Sequence, residues 1–227
     1  MRKEEAELIG RLLAGPDMGH VACVVELGSS DRTHREVAQP HIAANIHHPL
    51  AARGVRVVTT DLKSGEGVEV VGDIFDPQIQ ARLKAVRPDV LLCCNIFEHL
   101  RDRQTFADAC AALLPPGGFI LVTVPNSYPY HLDPIDTMFR PTPQQIAALF
   151  PGFALIHGEV FEAGSFREDM RRHGTSVATQ LVRTLVRGVW PWRGVEPLKA
   201  KFHRWFWLGR PFKMSIALLQ KPTEEAA

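Results

Sequence analysis

The sequence predicts a doubly wound α/β fold, and three observations predict it. Short apolar runs alternate with amphipathic stretches along most of the chain, the pattern of βα units wrapped around a mainly parallel sheet. Several of these runs end in an acidic residue just before a turn. Finally, 227 residues that are 45% hydrophobic suffice to bury one such sheet, and are few for two independent domains. One domain, residues 1–227, is expected.

Residues 2–14 read as a helix that precedes the first strand, 21–26. Residues 33–52 are helix-like but interrupted by Pro40 and Pro49, so this connection is expected to be irregular. Strands follow at 55–60 and 68–71. A helix over 76–86 has Asp76 as N-cap and Pro77 at its first position. The fourth strand is 89–94. A helix over 103–114 is stopped by Pro115-Pro116-Gly117-Gly118, and the fifth strand, 119–124, begins at once. Thr142-Pro143 opens a helix through Leu149, and 153–158 begins the sixth strand. Residues 213–220 alternate weakly and read as the last strand. Between these two lies a long segment, 161–211, with a composition of its own.

Composition excludes several classes. A net charge of +1 gives no global field for nucleic acid. The opening Met1-Arg2-Lys3-Glu4-Glu5 is charged where a signal peptide needs an apolar run, and no apolar stretch approaches the ~20 residues that cross a bilayer. A soluble, cytoplasmic protein is expected. Cys23, Cys93, Cys94 and Cys110 lack the spacing of a zinc site or redox pair and read as reduced, buried thiols.

Five motifs stand at the strand ends. In Glu26-Leu27-Gly28-Ser29-Ser30-Asp31, a buried strand ends in an acid and Gly28 lets the backbone approach a ligand. The amides of that turn, at Ser29 and beyond, are placed to hold a carboxylate. The GxGxxG fingerprint of dinucleotide enzymes is absent. Asp61, ending the second strand, suits the two hydroxyls of a ribose, and Leu62 beside it suits an adenine face. After the third strand, Asp73 can accept from an exocyclic amine while Ile74 covers the ring; the plainer reading is that Asp73 or Asp76 starts a helix. The fourth strand leads into Asn95-Ile96-Phe97-Glu98-His99-Leu100, at the end where ligands bind in such sheets. Pro116-Gly117-Gly118 before the fifth strand completes the series.

In this order and spacing the motifs resemble the class I methyltransferases that use S-adenosylmethionine, especially the branch of ubiquinone-biosynthesis enzymes, over residues 21–161. The resemblance implies a Rossmann-like seven-stranded sheet of order 3-2-1-4-5-7-6 with the last strand antiparallel. It implies that Glu26 and Gly28 shape the methionine pocket, Asp61 binds the ribose, Leu62 and Ile74 sandwich adenine, Asp73 holds its amine, and Asn95 lines the floor near the sulfonium. Two departures stand out. Ser30 and Arg32 replace two further glycines of the family's turn. Asn95 replaces the first carboxylate of an E-x-x-E-H pattern that binds a divalent metal in some relatives, so no metal is expected.

The proline-rich stretch 124–142 resembles the loop of methyltransferases found beside glycan and natural-product genes. It carries His131, Asp133, Asp136 and Arg140. Methyl transfer to a hydroxyl needs alignment and proton removal. His131 is the first candidate base and His99 the second. Asp133 or Asp136 would orient the imidazole, and Arg140 would bind an acidic substrate group or tie down the loop. The expected acceptor is a small molecule, a sugar or natural-product intermediate methylated on oxygen, glycosylated or lipid-linked acceptors included. Residues 171–213 hold all four tryptophans and ten Arg and Lys against Glu196 alone. This helical insertion reads as a substrate cover, a homo-oligomer interface, or a surface resting on an anionic membrane. The rival from another class is a cofactor-fold protein that serves as a scaffold.

Overall fold

The computed structural model describes residues 1–131, 135–188 and 202–223. Asp133, Trp190 and Trp192 lie outside the described residues. Helix α1 (Lys3–Leu13) buries Ala6, Leu8, Ile9 and Leu13. Seven strands, β1 (Cys23–Leu27), β2 (Arg56–Asp61), β3 (Val70–Val71), β4 (Val90–Cys94), β5 (Phe119–Ser127), β6 (Ala154–Ser165) and β7 (Pro211–Gln220), form one sheet. Their order is β3-β2-β1-β4-β5-β7-β6, with β7 antiparallel to both neighbours and the first five strands parallel. This is the order that the resemblance implied.

The central strands are apolar on both faces because both are covered. Val24, Leu92 and Leu121 face one layer, packed on α1 and on Ile42, Ile46 and Leu50 of the first crossover. Val25, Leu91 and Ile120, one residue out of step, face the other layer. There they meet α4 (Pro77–Ala85), α5 (Arg103–Leu113) and α6 (Pro143–Ala147) through Leu83, Cys110 and Ile146. The first crossover is irregular, as its prolines predict. Two single π-type turns, His34–Ala38 and Ala43–His47, alternate with the short helices α2 (Pro40–Ile42) and α3 (His48–Ala52). Pro40 and Pro49 sit at the starts of those pieces, where a missing N–H costs no helical hydrogen bond.

Two boundaries differ from the sequence reading. Strand β5 continues through Pro125 to Ser127, because beyond Thr123 it has outrun β4 and pairs only with β7, with a register shift between Pro125 and Ser127. Strand β6 runs to Ser165, so the segment expected to leave the sheet at 161 opens as strand. The helices α7 (Phe166–Arg172) and α8 (Val177–Gly188) and a turn at Arg204–Trp207 follow it. Phe166, Met170 and Phe212, with Trp205 and Trp207 against them, pack this segment onto the sheet's end. Among the described residues no helix is long and apolar enough to cross a membrane. The four cysteines are free, and burial pushes the Cys93 and Cys94 thiols well up.

Candidate active site

A cavity of about 810 Å³ opens over the C-terminal ends of β1, β4 and β5, the place where ligands bind in doubly wound sheets. Glu26, Gly28, Ser29, Asn95, His99 and His131 all line it. Gly28 has φ +67°, and a Cβ there would sit 3.3 Å from Ile96 Cδ1, so glycine suits this corner on both counts. The buried carboxylate of Glu26 lies 3.0 Å from His47 Nε2. Ser29 donates its amide to Thr60 O at 3.0 Å. Ser30, in the place of a family glycine, is left-handed at φ +56° and donates its amide to Asp61 Oδ2 at 2.9 Å. Asp61 Oδ1 accepts from Lys63 N at 3.0 Å. The Asp61 carboxylate therefore ties the two strand ends together and keeps lone pairs for a further donor.

Asp61, Leu62 and Asp73 stand outside the lining of this cavity. Leu62 is 70% exposed, and Asp73 is exposed with its Oδ1 accepting from Phe75 N. Ile74, beside it, is 8% exposed. Its side chain is buried in the core beneath the sheet end.

At the end of β4, Asn95 is left-handed, φ +55°, a conformation that Asn tolerates better than most residues. Its Nδ2 donates to Glu5 Oε1 at 2.8 Å, and Thr123 Oγ1 donates to the same oxygen at 2.6 Å. Glu98 is fully buried, and neither carboxylate oxygen has a hydrogen-bond partner among the described residues. Burial, with Glu5 and Asp136 adding repulsion, pushes its carboxyl up to about 8, so it holds a proton at neutral pH. His99 gives its Nδ1–H to Ile135 O, and its Nε2 lies 3.7 Å from Glu98 Oε1.

The loop after β5 supplies the opposite wall. Asp136 is buried between Arg140, bound through both oxygens at 2.6 and 3.1 Å, and the backbone amides of His131 and Met138. Burial raises the Asp136 carboxyl, but the Arg140 pair and the two amides outweigh it and hold it below its ordinary value. Arg140 is thus occupied in tying down the loop. The His131 ring lies with Nδ1 3.2 Å from Asp136 Oδ2, off the line of a hydrogen bond. Burial lowers the His131 imidazole below its usual value and outweighs the pull of Asp136, so the ring is neutral at pH 7. Its ring stands edge-on to His99 at 5.4 Å. Donor atoms of Glu98, His99 and His131 lie within 4.8 Å of one another, one carboxylate and two imidazoles, a set that divalent transition ions accept.

Residues 9–180, well over half of the chain, match the family described as a methyltransferase domain. The chain belongs to that family. Its fold is similar to that of coclaurine N-methyltransferase, solved with N-methylheliamine and S-adenosylhomocysteine. The TM-score is 0.60 at 14% identity, over 96% of this chain and 72% of that one. It is also similar to a Galdieria sulphuraria protein described as a sarcosine dimethylglycine methyltransferase (TM-score 0.52, 14% identity, 98% and 85% covered). A third likeness is to the (4+2)-cyclase SpnF (0.53, 14%, 97% and 82%), so the same architecture also hosts chemistry other than methyl transfer. No curated protein matches the chain.

In this methyltransferase Glu5 and Cys94, which line the cavity, and Arg35, which braces its turn, went unmarked in the sequence. Glu5 sits on the apolar face of α1, four residues before Ile9; a carboxylate on that stripe was the available signal. Arg35 is 5% exposed and gives one guanidinium nitrogen to Ser29 O and Ser30 O and the other to Gly67 O. It clamps the turn where glycines are missing, and nothing local in the sequence announces it. Cys94 stands in the cavity wall beside Asn95.

Proposed function

We propose that the protein moves the methyl group of S-adenosylmethionine to a hydroxyl oxygen of a small molecule, a sugar or a natural-product intermediate. The methionine end of the cofactor lies along Glu26, Gly28 and Ser29, over Asn95. Asp61 would hold its ribose, and Leu62 and Asp73 its adenine. The acceptor oxygen approaches the methyl carbon in line with the sulfur–carbon bond. As the new carbon–oxygen bond forms, that bond breaks, S-adenosylhomocysteine leaves, and the hydroxyl proton passes to a base. His131 takes this role, with His99 as the second candidate and Asp136 holding the ring.

One observation carries the reading: a neutral, half-buried imidazole beside a fixed carboxylate faces the cavity that begins at Gly28 and Ser29. Glu98 is protonated and so does not compete for the proton. The test is S-adenosylhomocysteine formation with panels of sugar, phenolic and amine acceptors. Hydroxyl acceptors are expected to turn over, with kcat/KM falling only below the ordinary histidine range. His131→Ala is expected to lower kcat by about 100- to 10,000-fold and leave the KM for S-adenosylmethionine nearly unchanged. Turnover of amines alone, or full kcat in His131→Ala, removes the base assignment. Loss of turnover in chelator, restored by Mn²⁺, would instead give the role to a cation held by Glu98, His99 and His131, polarising the acceptor oxygen.

A further inference from the structure

Helix α8 is amphipathic, and the one side chain buried among its described residues, Thr184, lies on its polar half. On a helical wheel Val177, Ala178, Leu181, Val182, Leu185 and Val186 fill one half, and Thr179, Gln180, Arg183 and Thr184 the other. A surface helix ordinarily buries its apolar half. Here the residue packed against the protein is Thr184, 3% exposed, whose Oγ1 accepts from Trp205 Nε1. The apolar half faces out: Val177, Leu181, Val182, Leu185 and Val186 are 41–61% exposed. The segment that holds Trp205 adds Phe202 and Phe206, at 43% and 70%. Five neighbouring apolar side chains are more than the scattered exposure normal for a surface.

The charges around this face choose its occupant. Arg171 and Arg183 are exposed in the same stretch of chain, Arg183 on the polar half of α8, and residues 170–188 contain no Asp or Glu. A second copy of the chain packed through the same face would meet no carboxylate of this stretch to balance its arginines. Anionic headgroups supply that counter-charge, and the acyl boundary takes the valines and leucines. We propose that the outward half of α8, with Phe202 and Phe206, lies on an anionic lipid bilayer surface. The same segment reaches the cavity, since Arg204 lines it and His203 Nδ1 accepts from Tyr130 N. Docking would set the acceptor side of the cleft close to the bilayer, within reach of an amphiphilic acceptor.

The experiment is co-sedimentation of the full chain with phosphatidylcholine vesicles, with and without phosphatidylglycerol. The chain is expected to pellet only with the anionic vesicles and to release as salt rises. Val182→Glu with Val186→Glu should lower vesicle affinity about tenfold or more, with S-adenosylmethionine binding and melting temperature unchanged. If the glutamates lower the melting temperature, Val182→Ser with Val186→Ser carries the same expectation. Equal binding to neutral and anionic vesicles, no vesicle binding, or no effect of the substitutions would overturn the proposal. A concentration-dependent dimer in light scattering that the same substitutions abolish would also overturn it, and assign the face to self-association.

Discussion

The two halves of the cleft are stabilised in different ways. At the β1–β2 end the turn is held through its own main-chain groups: the amides of Ser29 and Ser30 donate to Thr60 O and the Asp61 carboxylate, and the Arg35 side chain gathers three carbonyls, so the turn depends on Asp61 and Arg35 and not on its own side chains. At the β4–β5 end the wall is made of ionisable side chains, with Asp136, Arg140, His131, His99 and Glu98 stacked within a few ångströms. Backbone contacts tolerate a change of side chain, whereas buried charges depend on every partner. The cofactor half should thus survive altered loop residues, and the acceptor half should respond sharply to pH and to single substitutions.

The largest expected effect tests that second claim. An unfolded glutamate ionises near 4.3, while Glu98 in the folded protein keeps its proton to about 8. Stability linked to this group is fully present below the unfolded value and lost as pH rises towards 8. The loss is on the order of 4 kcal/mol across the window. Urea melts of metal-free protein should show Glu98→Gln matching wild type at pH 4 and exceeding it by that order at pH 8. Parallel curves for the two proteins would mean that Glu98 is ionised and paired, and the contrast between the halves would weaken.

A smaller effect sharpens the cofactor half. Asp61→Ala should weaken S-adenosylmethionine binding by about 1.5–3 kcal/mol in calorimetric titration, the scale of hydrogen bonds to a charged group. Unchanged affinity would place the ribose elsewhere. The smallest effect concerns Ser30→Gly. Relief of left-handed strain, about 1 kcal/mol, offsets the added chain entropy of glycine, so denaturant melts should shift by no more than about 0.5 kcal/mol. A gain well above that would show that Arg35 holds the turn against real strain.

The parts of the molecule legible in sequence are those governed by local rules. The α/β class follows from the alternation of apolar runs, and the strand order from the family resemblance; Glu26, Gly28, Asp61 and Asn95 could be singled out because each sits at or beside the C-terminal end of a strand. Arg35 and Glu5 were hidden because their partners are distant in the chain, Gly67 for one and Asn95 and Thr123 for the other. Arg140 and Asp136 read as separate functional groups in sequence, yet they satisfy each other, since a buried carboxylate requires a partner.

Glu5 joins the first helix to the floor of the cleft through two hydrogen bonds that span 90 and 118 residues of chain. During synthesis this floor cannot exist until the fifth strand has emerged, however early the β1 turn forms. The link also runs in reverse. A cofactor that binds only the completed floor lends part of its binding free energy to docking of the first helix, so occupancy of the site guards a segment far from the ligand against local unfolding.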